Sequence, residues 1–193
     1  MSTTTLRVMT HADYDALVAE GVLPVDVRPP HEYVAAHVRG SRSEPAAWQV
    51  SRHRLGLLAG GRPLLLIAQD PLELDLATRE AEAARVPVAG VLVGRPELWA
   101  ERGLTVVGWR PVDPATWRTL EPPPRVLALV EPGEPVPPGW PTAVRTPLSE
   151  WPPDAPPVAP DAGVVLLGPE TRAVWAAVAL FQHGCPAVYR GQS

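Results

Sequence analysis

Four residues able to carry charge or move a proton stand close together in the first quarter of the chain: Asp26, Arg28, Glu32 and His37. An acid, a fixed cation and an imidazole in one neighbourhood could build a hydrolytic site from Asp26, His37 and Arg28. The same residues could instead be a structural hydrogen-bond and ion-pair set at a strand end, because buried charges persist only when paired. The structural set is the expectation here. The one sulfur nucleophile is Cys185, placed after Gly184 in the turn from the last helix into the last strand. It reads as a buried, inert thiol, with a sulfur carrier as the alternative. A lone cysteine excludes an internal disulfide and any cysteine-based metal cluster. The five histidines show no His-x-x-x-His spacing, so no metal site and no cofactor are expected.

These residues need elements to position them. Thr10-His11-Ala12-Asp13 opens a helix as a capping box, with Tyr14, Leu17 and Val18 on one face and Gly21 as its stop. Residues 22–27 are apolar apart from Pro24 until Asp26, and end in a Pro-Pro turn, so they read as a buried strand that delivers charges to a sheet edge. A short helix over 32–36, a short strand over 40–44 and a helix over 45–58, with Pro45 near its first turn, follow. Gly60-Gly61 ends that helix. The unbroken apolar run 63–68 fits a central parallel strand covered on both faces. A helix over 71–85, a strand over 88–93 and a turn of helix carrying Trp99 complete an α/β pattern with a mainly parallel sheet flanked by helices.

The wording of this stretch resembles the rhodanese-like (sulfurtransferase) family. Asp26-Val27-Arg28-Pro29, then Glu32-Tyr33, then His37 and Gly40 match its first-half signature, while Ala36 and Ser41 replace a glycine and an alanine. Gly94, Trp99 and Gly103 match its later one. The resemblance implies a cysteine at the end of the central strand and a loop whose backbone N–H groups curl around the sulfur to stabilise a thiolate or persulfide. It would place that cysteine at Ala68 and, in the second half, at Leu167, or at Gly168 if the register slips by one. Neither copy then has a nucleophile. The loop Gln69-Asp70-Pro71-Leu72-Glu73 argues the same way: Pro71 removes a donor where the family tends to have glycine, and Asp70 and Glu73 bring negative charge. Asp70 as N-cap, Pro71 at the first helical position and Glu73 at the third make an ordinary helix start.

The second half repeats the first. Residues 113–120 lie over 10–17, 126–130 over the first strand and 163–167 over the central one, giving two tandem domains, 5–109 and 112–193. In this alignment Asp26 corresponds to Leu129 and Arg28 to Glu131, and the His37 region becomes Gly139-Trp140-Pro141. The second domain is degenerate and shortened at its C-terminal end, with prolines so dense between Glu131 and Pro160 that little regular structure is expected. Its loop, Gly168-Pro169-Glu170-Thr171-Arg172, keeps one arginine, at which a small anion could bind weakly. The helix 173–181 is apolar all round, so Trp175 and Phe181 are expected to be buried.

A chain of 193 residues with a formal charge of −4 and a pI of about 5.7 argues against nucleic acid or an acidic membrane as partner. No run approaches the length of a membrane span and the N-terminus lacks an apolar signal core, so a cytoplasmic location is expected. The resemblance, with both cysteine positions replaced, implies a protein without sulfurtransferase capacity that acts as a binding, regulatory or scaffolding module with a protein partner.

Overall fold

The computed structural model describes residues 9–46, 51–151 and 163–192, and of residues 51–53 the backbone alone. The chain divides into two units, Met1–Val107 and Gly108–Ser193. The fold is α/β, with mainly parallel sheets flanked by helices.

In unit 1, strands β1 (Leu23–Asp26), β3 (Arg42–Ser43), β4 (Leu64–Ala68) and β5 (Val88–Val93) form a parallel sheet in the order β3-β1-β4-β5. Two short strands, β2 (His37–Val38) and β6 (Val106–Val107), pair antiparallel beside it. All five residues of β4 are buried, as expected of a strand covered on both faces. Leu64, Leu66 and Ala68 pack with Leu55 and Ala59 of α3 (Ser51–Ala59) and Ala77 and Ala81 of α4 (Pro71–Ala83). Leu65 and Ile67 alternate to the other face, against Tyr14 of α1 (His11–Ala19) and Trp99 of α5 (Pro96–Glu101). The short helix α2 (Pro30–Ala35) follows β1 directly.

The Thr10–Asp13 capping box is present, with both reciprocal hydrogen bonds. Val18 differs from expectation, being 41% exposed while Tyr14 is buried. Pro45 lies before α3 rather than in its first turn, and residues 47–50 fall outside the described residues. Between β2 and β3 the chain turns at Gly40, whose φ of +85° favours glycine.

In unit 2, strands β7 (Arg110–Val112), β8 (Arg125–Ala128), β9 (Val144–Arg145), β10 (Val164–Leu167) and β11 (Val188–Gly191) form a parallel sheet ordered β7-β11-β10-β8-β9. Residues 110 and 111, left between the domains by the sequence reading, thus belong with Val112 to a strand of unit 2. One face packs Trp117, Val126, Ala128, Trp140, Val165 and Leu167. Helix α6 (Glu170–Gln182) packs on β10 and β11. Residues 113–120 start as expected, Asp113 accepting from the N–H groups of Ala115 and Thr116, but give only a 3₁₀ turn at Trp117–Thr119. Between residues 131 and 151 regular structure is limited to β9 and a 3₁₀ turn at Leu148–Glu150.

The order β9-β8-β10-β11 reproduces β3-β1-β4-β5, and hydrogen bonds fix the correspondence residue by residue. Val27 N–H donates to Ile67 O as Leu129 N–H does to Leu167 O, and Glu44 N–H to Asp26 O as Thr146 N–H does to Ala128 O. Asp26 therefore corresponds to Ala128, not Leu129, and Arg28 to Val130, not Glu131. In strand register, Ala68 corresponds to Gly168. The sequence alignment slipped by one because 126–130 is uniformly apolar, and such a run carries no phase.

Helix α6 corrects another expectation. Its Ala173, Ala176, Ala177 and Leu180 are buried, while Trp175 is 43% exposed and Phe181 is half-buried. Small residues let a helix approach its neighbours closely, and the indole is turned the other way.

Two glycines give opposed predictions. A Cβ on Gly191 in β11 would stand 2.2 Å from Leu167 Cδ2 and 3.2 Å from both Trp140 and Val165, whereas on Gly56 in α3 it would meet only Ala84 Cβ at 3.8 Å. Gly191→Ala is expected to destabilise by about 1–3 kcal/mol through overpacking. Gly56→Ala should stabilise by about 0.5–1 kcal/mol through helix propensity. Chemical unfolding midpoints of the two variants check both signs.

Candidate functional site

Parallel strands end on the same edge of their sheet, so β1 and β4 bring Asp26, Arg28 and the 68–73 loop together at one edge of unit 1. Asp26 and Arg28 are 0% and 1% exposed. Arg28 Nε donates to Asp26 Oδ1 at 2.9 Å and Nη2 to Oδ2 at 2.6 Å, while Arg28 N–H also reaches Oδ1 at 3.1 Å. Nη2 further donates to Ala36 O at 2.7 Å, and the guanidinium lies 4.7 Å from the Trp99 ring centroid. Burial pushes the Asp26 carboxyl up, and the Arg28 hydrogen bonds and charge pull against it.

His37 is buried, stacked on Tyr33 at 3.9 Å between ring centroids, with Nδ1 2.8 Å from Tyr33 O. Tyr33 in turn donates from its hydroxyl to Ser41 O at 2.8 Å. Burial holds the imidazole down at about 4, so it is neutral at pH 7. Asp26 is thus engaged by Arg28, and His37 by Tyr33, an arrangement that ties β1 to the α2–β2 corner. Glu32 departs from the expected set: its Oε2 is buried and has no hydrogen-bond partner among the described residues. The cation-π seat of Arg28 on Trp99 was not read from the sequence, because those residues lie far apart in the chain.

Ala68, where the sequence resemblance would place a cysteine, ends β4 fully buried. Beyond it, the loop donors are turned inward. Gln69 N–H donates to Glu73 Oε2 at 2.8 Å, Leu72 N–H and Glu73 N–H to Asp70 Oδ1 at 2.8 and 3.0 Å, and Pro71 has no N–H. Asp70 is the N-cap of α4, with Pro71 and Glu73 at the expected positions. Burial pushes the Glu73 carboxyl up, the Gln69 N–H opposes this, and the charges of Asp70 and Glu32 add to the rise.

In unit 2, Gly168 has φ +128°, and a Cβ there would stand 3.0 Å from Leu129 O, so any side chain at this strand end needs the backbone to move. Arg190 Nη2 donates to Gly168 O at 2.8 Å. Pro169 caps α6 without a side-chain hydrogen bond, ahead of Glu170 and Thr171. Arg172, expected to be open to an anion, is already engaged: Nη1 and Nη2 donate to the two carboxylate oxygens of Glu134, and Nη1 to Leu129 O at 3.2 Å. Glu134 Oε2 also accepts from Glu131 N–H at 2.7 Å, and these bonds hold its carboxyl below the usual range. Glu134 was missed by the sequence reading.

Cys185 sits before β11, at the opposite end of the sheet from Gly168. It is buried, its Sγ 3.4 Å from Ala187 O, and burial pushes the thiol up. Among the described residues no group of three or more His, Cys, Asp or Glu side chains is placed to hold a metal, and no helix is long and apolar enough to cross a membrane.

No protein family and no curated protein matches the sequence. Among solved structures, the chain is similar to the BH2092 protein of Bacillus halodurans, with 19% identity over 52% of this chain and 76% of that one, at a TM-score of 0.43. It is similar to the Alr3790 protein of Anabaena sp., with 21% identity over 49% and 76%, at 0.41. It is similar also to the thiosulfate sulfurtransferase of Pseudomonas aeruginosa, with 15% identity over 97% of this chain and 43% of that one, at 0.42.

Proposed function

We propose that the chain is a tandem of two rhodanese-like units, neither active in sulfur transfer, which serves in the cytoplasm as a binding, regulatory or scaffolding module for a protein partner. The observation that carries this reading is the state of the 68–73 loop: Asp70 and Glu73 take the N–H groups that would cradle a sulfur anion, and Ala68 offers no nucleophile. The shared strand order and register of the two sheets support the tandem.

The test is thiosulfate-to-cyanide sulfur transfer. The expected result is no turnover above background. Turnover that survives Cys185→Ser would mean another nucleophile exists and would overturn this reading; turnover abolished by it would establish a sulfur carrier. Ala68→Cys is expected to leave sulfur transfer negligible. Its thiol should titrate at or above the ordinary value of about 8.5, because the nearby carboxylates oppose a thiolate. An alkylation rate titrating well below that value, together with sulfur transfer, would show a loop still poised for anions.

A further inference from the structure

We draw no further inference here: the strongest candidate, the outer edge of β5 in unit 1, whose counterpart β11 in unit 2 is paired with β7, carries none because nothing among the described residues shows what covers it.

Discussion

Arg28→Ala is expected to destabilise unit 1 by about 3–5 kcal/mol, the cost of leaving a buried carboxylate without its partner. Three things are lost at once. Asp26, at 0% exposure, loses both side-chain donors; Ala36 O loses the 2.7 Å bond from Nη2; and Trp99 loses the cation on its face. Desolvation makes the pair costly to hold, so replacing both partners should hurt far less than replacing one. Asp26→Leu combined with Arg28→Met is expected to recover most of the loss. Chemical unfolding of the two single variants and the double one measures the coupling. Single variants that unfold with the wild type would mean water reaches the pair and that its burial contributes nothing.

The parts of this fold legible in the sequence are those in which a local signal and the tertiary demand coincide. The 63–68 run is apolar at every position and becomes the fully buried β4. Thr10–Asp13 and Asp70–Glu73 carry caps whose donors and acceptors lie three residues apart, and both form as read. The Asp26–Arg28 pair is legible for the same reason, since its partners are two residues apart on one strand end. Where the signal has no phase, the reading slips. Uniformly apolar 126–130 gave an alignment off by one, and an alanine-rich α6 gave no hint that Trp175 faces outward. Contacts between distant segments were out of reach: Glu134 on Arg172 and Arg28 on Trp99 join residues that no spacing rule connects.

Acid is expected to remove the stability contributed by a neutral His37. Its imidazole is held down from 6.5 to about 4, first by burial and also by the charge of Arg28, against the opposing hydrogen bond to Tyr33 O. The unfolded chain therefore takes up the proton first. The contribution is fully present above pH 6.5 and is lost as pH falls towards 4, which at about 1.4 kcal/mol per pKa unit is about 3 kcal/mol. The buried carboxyls act in the opposite sense. Asp26, Glu44 and Glu73 are pushed up by burial, so the folded protein takes up their protons before the unfolded chain does, and they gain stability as pH falls. A bare pH profile would mix the two, so the quantity to measure is the difference between wild type and His37→Phe, which keeps a ring on Tyr33 but cannot titrate. That difference should shift by about 3 kcal/mol against the wild type between pH 7 and pH 4, with the His37 ring resonances staying those of a neutral imidazole at pH 6. A difference that stays flat across this window would mean that His37 takes up its proton as readily in the folded protein as in the unfolded chain, and that the stack on Tyr33 is open to water.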